Sequence, residues 1–541
     1  MSGFTGTVRL VRLALWRDRF VLPAWIVGMA LFLAATTGLF EDSYSRHPEL
    51  LRPDTQIVVE DPGMRALGLV TGPSVGGYTL HRDALTLAVL AAMMSVLAVV
   101  RHTRQAEELG REEMLAAGVV GRYASLAAAV VVAVAANLVL AVCLGLAMMV
   151  AGQPAAGSLA AGASIALVGV TFTGVAAVTS QLVPTSRAAI GLAGAGLGIA
   201  FLLAALGNML GTVDSTALRV TSAWPAWLSP IGWSQQMRPF ADDLWWPPGL
   251  ALVAAVSLVG LATALVDRRD VGQGMWPDRR GAAHARSTLL SPTGLVWRLQ
   301  RGALLGWAVG LVGFGLVFGA LSDRIAGLKG AATQWYATFG GDTDLIGAYW
   351  ASMTQIAGMA VAGYVVTLML RLHHDEAQGT LEPVLGTAVS RLRWLRAYAV
   401  NALAGATGLM LVFAAAMALT GGQALGGTSA LRRDLAGAAL VQIPAIGVLG
   451  AAVATVVIVL PRWSIVLSWL LVVFSVFLGP LFGPSLGLPA WLMDLSPFTH
   501  LPNAPAVAVT FEPLLRLGLA GALLAAVGVL ALRRRNLVLP A

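Results

Sequence analysis

The sequence predicts an all-α, polytopic membrane protein with about twelve spanning helices. The chain is 57% hydrophobic and only 11% charged, with a mean hydropathy of +0.78. That is too little polar surface to cover a soluble globule of 541 residues. Runs of roughly 20 apolar residues recur along the whole length, each able to cross about 30 Å of hydrocarbon as a helix. The runs are continuously apolar, where the strands of a membrane barrel would alternate.

The first six expected spans lie near 21–40, 84–100, 124–151, 158–182, 188–207 and 249–266. Ahead of them, Val8 to Phe20 reads as an amphipathic segment lying along the membrane surface before the chain turns at Pro23. Its arginines can reach lipid phosphates while Leu10, Leu13 and Trp16 enter the acyl boundary. Four arginines precede Leu22 and no small-residue cleavage site follows the apolar core, so the first span is expected to be retained. The second six lie near 303–321, 351–370, 397–420, 436–460, 464–482 and 514–532.

Arginine placement orients these spans. With both termini cytoplasmic, about 24 of the 35 basic residues fall inside, as expected for a plasma (inner) membrane protein. An isoelectric point near 10.3 then reports topology. Nucleic acid is not an expected partner, because no basic face with interleaved aromatics stands clear of the bilayer. Cys143 is the only cysteine; it excludes disulfides within the chain and CxxC metal sites, and reads as a small buried apolar residue.

Polar anchors occur twice. Thr5-Gly6 with Arg9 and Arg12 precedes the first span, and Thr293-Gly294 with Arg298 and Arg301 precedes the seventh. Ser229-Pro230 and Ser496-Pro497 precede the last span of each half, and basic exits follow at Arg268-Arg269 and Arg533-Arg534-Arg535. The separations fall in order from 289 (Arg9 to Arg298) through 270 (Arg101 to Arg371) and 267 (Ser229 to Ser496) to 265 (Arg268 to Arg533). Chance matches would scatter. The expected organisation is therefore residues 1–280, a six-helix half with an N-terminal elbow helix, and 281–541, a second six-helix half, an arrangement by which many transporters build a pathway.

Two charged connections stand out, Arg101 to Arg122 and Arg371 to Arg396. In the first, Glu108, Arg111 and Glu112 are spaced three and four residues apart, with Leu109 and Leu115 as apolar contacts. In the second, Glu376, Thr380 and Pro383 are about one helical turn apart. A short helix of this make-up presents carboxylates on one face and an apolar strip on the other, suited to a cleft on a soluble partner.

The stretch DEAQGTLEPVLGTAVSR from Asp375 to Arg391 resembles the E-x-x-x-G-T-L-E-x-L-L-x-x-x-x-S-R coupling segment of ABC-2 type permeases, the membrane subunits of ATP-driven exporters. Glu376, Gly379, Thr380, Leu381, Glu382, Leu385, Ser390 and Arg391 occupy matching positions; Val389 stands where proline is common. The first copy keeps Glu108, Gly110 and Glu112 but lacks the threonine and the Ser-Arg pair, which leaves open whether both copies engage an ATPase equally. The full layout resembles the fused actinobacterial permeases that export polyketide antibiotics. The resemblance implies two homologous ABC-2-like halves, a hydrophobic antibiotic or other lipophilic cargo, and a separate ABC ATPase, in two copies, meeting Glu108, Arg111, Glu112, Glu376, Gly379, Thr380, Glu382 and Arg391.

No phosphate loop occurs in the chain. Such a loop needs a lysine after its glycines, and the only lysine, Lys329, has neither the glycine spacing nor a following Ser or Thr. No cofactor is expected in this chain, ATP and magnesium belonging to the partner. The stretch Gly319 to Lys329 looks like a loop of major-facilitator carriers but falls after the wrong helix of its half; a proton-coupled secondary multidrug transporter is the alternative. His373-His374-Asp375-Glu376 has metal-ligand types, yet adjacent side chains on a helix diverge, so no metal site is expected. No G-x-S-x-G elbow or other catalytic set is present.

Within the spans, Asn137, Gln181, Gln355 and Gln442 are candidates for the substrate pathway. A buried amide in a membrane also commonly bonds a neighbouring helix, for about 1 kcal/mol. Gly194-x-x-x-Gly198 and Gly315-x-x-x-Gly319 read as places of close helix approach. Trp224, Trp227, Trp233, Trp245 and Trp246 read as an interfacial belt.

Overall fold

Eleven helices among the described residues are long and apolar enough to cross a membrane. The computed structural model describes residues 2–116, 118–270, 272–276, 283–285, 287–322, 345–427, 429–479 and 488–535. Lys329, the end of the span expected near 464–482, and Asn536 lie outside them. The chain divides into two compact units, Met1–Gly281 and Ala282–Ala541.

In the first unit the surface segment is α1 (Thr7–Arg17), followed by the spans α2 (Val21–Arg46) and, after the short α3 (Pro48–Glu60) and α4 (Pro62–Leu67), α5 (Val75–His102). Next come α6 (Arg104–Glu108) and α7 (Arg111–Ala116), then the spans α8 (Ala124–Val150), α9 (Ala155–Leu182) and α10 (Ser186–Met209). A two-residue hairpin of β1 (Thr212–Val213) and β2 (Val220–Thr221), the turn-like α11 (Pro230–Gln235) and the span α12 (Pro247–Val266) complete it. A 26-residue helix such as α2 is about 39 Å long, enough to cross the hydrocarbon even when tilted. Connections alternate ends, so α1, α6, α7 and the exit after Asp267 share one end, called here the arginine-rich end.

The most buried span is α9, with 72% of its most apolar stretch covered against 17% for α12; α9 is therefore the centre of the unit and α12 its rim. Small residues make this possible. A Cβ on Gly162 would lie 2.1 Å from the Ala141 carbonyl and one on Gly169 1.9 Å from Asn137 Oδ1. Lipid gives helices no hydrophobic reason to associate, so close backbone approach supplies the attraction. Gly194 and Gly198 have no atom within 4 Å of a built Cβ, so that small-residue pair marks no helix contact among the described residues.

The second unit opens with α13 (Pro292–Ala320), then α14 (Leu345–Ala377), the single turn α15 (Glu382–Leu385), α16 (Arg391–Leu425), α17 (Ser429–Val441) and α18 (Ile443–Val459). It closes with α19 (Ser464–Phe477), the turn α20 (Ala490–Met493) and α21 (Phe511–Arg534). Here α14 is central, 78% covered over its most apolar stretch. Gly315 and Gly319 do bring α13 onto α16: their Cβ atoms would lie 2.7 Å from the Phe413 carbonyl and 2.4 Å from the Met417 carbonyl. The α17–α18 pair forms one span, Leu431–Val459, broken at Gln442 because Pro444 has no N–H to return to the preceding turn. The helix α19 has 14 residues, about 21 Å, which among the described residues is short of a full crossing.

Two boundaries differ instructively from expectation. The second span begins at Val75, where the Ser74 hydroxyl accepts from Gly77 N, because Tyr78, His81 and Asp83 pack inside the helix bundle despite lowering the local hydropathy. The surface elbow is a separate helix only in the first unit. Pro23 prevents α1 from running on into α2, whereas no proline follows Pro292 before Ala320, and α13 passes straight through Arg298 and Arg301.

Candidate functional site

The two charged connections lie at the arginine-rich end of their units. In the first, the chain leaves α5 at Thr103 (φ −117°, ψ −92°) and reverses at Gly110, whose φ of +66° favours glycine. Arg104 is fully buried. Its guanidinium donates to the Ser180 carbonyl at 2.6 and 3.0 Å, to the Gln273 carbonyl at 3.1 Å and to Glu107 at 2.7 Å. Arg269, from the exit after α12, grips the same carboxylate in a fork, 2.5 Å to Oε1 and 3.0 Å to Oε2. Two parallel N–H···O bonds fix direction as well as distance.

The remaining acids of this segment are also held by their own unit. Glu108 accepts from the backbone N–H and hydroxyl of Ser186, covering the first turn of α10. Glu112 accepts from Ser125 at the start of α8 at 2.6 Å, and burial raises its carboxyl above the usual range despite that bond. Arg111 and Glu113 are exposed and make no hydrogen bond or ion pair among the described residues.

One further bracket ties this segment to the elbow. Asp18, buried between α1 and α2, accepts from Arg101 at 2.7 Å and lies 2.5 Å from His102 Nε2. Burial works against the ionised Asp18, but the His102 bond and the charges of His102, Arg101 and Arg17 outweigh it and hold the carboxyl below its ordinary range. The last turn of α5 and the corner of the elbow are thereby one polar joint.

The second connection is built around Gly379, φ +69°. Thr380 Oγ1 and Leu381 N both donate to the Asp375 carbonyl at 3.1 Å, closing the turn, while the Leu381 side chain is buried. Ser390 is the N-cap of α16, accepting from Arg393 N at 3.2 Å, which gives the Ser-Arg pair a mechanical role without the proline. Glu376 is buried and receives Arg535 Nη2 at 2.7 Å; Arg391 donates to the Arg535 carbonyl at 2.8 Å. Asp375 accepts from Tyr398, so both acids of the His373–Glu376 cluster are committed to ion pairs and hydrogen bonds within the unit. Glu382 is exposed, with no hydrogen bond or ion pair for its carboxylate among the described residues.

The same bracket therefore occurs once in each unit: a connection carboxylate against an arginine of the basic exit, Glu107 with Arg269 and Glu376 with Arg535. The acids are 269 positions apart and the arginines 266, within the drift already seen in the sequence anchors. Ser-Pro anchors repeat likewise, Ser229 Oγ donating to the Ala200 carbonyl of α10 and Ser496 Oγ to the Ser475 carbonyl of α19. Glu107, Arg104 and Asp18 are not singled out by the sequence, and Arg269 and Arg535 enter it only as members of the basic exits. The near-equal spacing of acids and exit arginines was the available signal.

The four amides are buried. Asn137 donates to Ser95 Oγ and the Ala133 carbonyl, both at 2.8 Å, and Gln355 to the Phe498 carbonyl at 3.2 Å. Gln442 sits at the α17–α18 break with its oxygen against Gly358. Gln181 belongs to the arginine bracket, accepting from Arg269 Nε at 2.6 Å. Asn137, Gln355 and Gln442 each leave the amide oxygen without a hydrogen-bond partner among the described residues.

Spanning helices closed at one end by paired polar brackets define a multi-pass, all-α membrane protein. The chain belongs to the family of the multidrug efflux system permease protein Rv1217c of Mycobacterium tuberculosis (strain ATCC 25618 / H37Rv): the two are 36% identical over 546 residues, covering 99% of this chain and 96% of the relative. The family model described as multidrug efflux system permease Rv1217c, C-terminal domain, matches residues 289–533, nearly all of the second unit.

Proposed function

We propose that the chain is the membrane-spanning permease subunit of an ATP-driven ABC exporter that moves hydrophobic antibiotics or other lipophilic compounds out of the cell. It sits in the plasma membrane with both termini and both charged connections in the cytosol. Two copies of a separate ABC ATPase bind ATP and magnesium and do the hydrolysis. The single observation that carries this reading is Glu382, the acid of the Gly-Thr-Leu-Glu block. It projects from a turn whose backbone is pinned by Asp375 and Gly379, yet its own carboxylate is unspent.

The residues divide by role. Glu382 and Thr380 in the second connection, and Arg111 with Glu113 in the first, face outward and form the surface offered to the ATPase. Glu376, Glu108, Glu112 and Arg391 work behind it, passing displacement of the connections to α21, α10, α8 and α16. Gly379 supplies the reversal. Because Glu107, Glu108 and Glu112 are already bonded within the unit, the first connection presents the weaker grip. Among the amides, Asn137, Gln355 and Gln442 retain a spare acceptor for cargo, while Gln181 serves the arginine bracket.

Charge reversal in Glu382→Arg is expected to abolish copurification of the ATPase and ATP-dependent export, with membrane insertion unchanged. Export that continues without ATP and collapses with the proton gradient would overturn the reading in favour of a proton-coupled carrier.

A further inference from the structure

The second unit carries an apolar groove of about 580 Å³ between α16, α18 and α21, floored by Val365 and Met369 of α14. It exists because α16 and α18 splay apart while α18 and α21 stay in close contact through glycine: a Cβ on Gly528 would lie 2.9 Å from Thr455 Oγ1. Along α18 the groove runs from Ile443 to Ile458, about 22 Å at the helical rise. That exceeds the roughly 15 Å depth of one hydrocarbon leaflet.

Of the lining side chains, only Arg396 and Thr455 are polar. Thr455 is satisfied, donating to the Ala451 and Leu524 carbonyls at 2.9 Å. Arg396 is not. Its neighbours are committed, Arg391 to the Arg535 carbonyl and Arg393 to the Ala388 carbonyl, but Arg396 is exposed and makes no hydrogen bond or ion pair among the described residues. It lies at the arginine-rich mouth, one to two turns into α16, and no carboxylate lines the groove. A guanidinium there can extend to the level of lipid headgroups, where a phosphate matches its donors.

We propose that this groove is a binding site for one anionic phospholipid, an acyl chain lying along α18 and the phosphate resting on Arg396. The length of the groove, its apolar walls and a single uncommitted cation at one mouth are the features such a lipid requires. The site is independent of any ATPase, so its failure would leave the export reading untouched.

The test uses the full chain, purified, stripped of lipid and incubated with phosphatidylglycerol or phosphatidylcholine, with retained lipid counted by native mass spectrometry. The wild type is expected to retain one phosphatidylglycerol in preference to phosphatidylcholine. Arg396→Gln should weaken retention about fivefold, and Arg396→Lys should keep most of it. Gly518→Phe should exclude both lipids, since no atom lies within 4 Å of a Cβ at Gly518 and the ring can enter the groove without displacing backbone. Arg462→Gln, an exposed arginine at the same end but outside the groove, is the control and should change nothing. Equal retention of the two lipids by the wild type, wild-type retention by Arg396→Gln, or an equal loss in Arg462→Gln would overturn the proposal. Should Gly518→Phe fail to fold, the contrast between Arg396→Gln and Arg396→Lys decides it.

Discussion

Arg269 reaches a carboxylate that Arg104 already holds, and both guanidiniums are almost out of water. Such a set stabilises only while complete: each charge has lost its hydration, and removal of one partner leaves the others buried and undercompensated. Arg269→Ala is therefore expected to lower stability by about 3–5 kcal/mol, read as a fall in the melting temperature of the solubilised chain. Arg111→Ala, only a few residues from the same carboxylate but exposed, is expected to stay within about 0.5 kcal/mol. Similar losses from the two variants would show that the bracket contributes nothing beyond surface charge. Asp18 obeys the same logic at the elbow, where His102 and Arg101 compensate an acid whose ionised form burial disfavours. The acids of the two connections fall into two kinds, those that hold the unit together and those, Glu113 and Glu382, whose carboxylates have no hydrogen bond or ion pair among the described residues.

Among elements, the two glycine pairs look alike in sequence and differ in the fold. Gly319 meets Met417 and Thr420 so closely that any Cβ must displace backbone, whereas Gly194 faces open space. Gly319→Leu is expected to push α13 off α16 and destabilise by about 1–3 kcal/mol or more, while Gly194→Leu should be neutral or slightly stabilising because the helix loses a flexible residue. Thermal melts of the two variants check this; an equal fall in both would deny the contact its role. The example shows what the chain makes legible. Span positions are local and follow from hydropathy; the Gly379 reversal and the Ser390 start of α16 are local too, set by backbone freedom and capping, but enter the sequence reading only as positions of the family resemblance. Which glycine touches a neighbour, and that Glu107 meets an arginine 162 residues away, depend on how helices rotate about their axes. Periodicity carries little of that here, since spans apolar all round leave no polar face to mark the buried side.

For the molecule as a whole, every functional statement turns on which side of the membrane the charged connections face. The arginine count predicts that they face the cytosol, because moving guanidiniums outward across the bilayer is opposed during insertion. The chain allows a clean measurement. Its one cysteine, Cys143, sits within α8 and can be replaced by alanine, leaving a background into which single reporters are placed. Glu113→Cys and Glu382→Cys report the two connections; Ser215→Cys and Ala508→Cys report the opposite end of each unit, and all four positions are exposed. A membrane-impermeant maleimide is expected to label the 215 and 508 reporters in intact cells and the 113 and 382 reporters only after permeabilisation. Because the units are tested separately, the result also separates parallel from inverted insertion. If the 382 reporter reacts from outside while the 113 reporter does not, the second unit is inverted and Glu382 cannot meet a cytosolic ATPase. If both connections react from outside, the coupling reading fails for the whole chain, since the surface left free by all the internal brackets would face a compartment that holds no ATP.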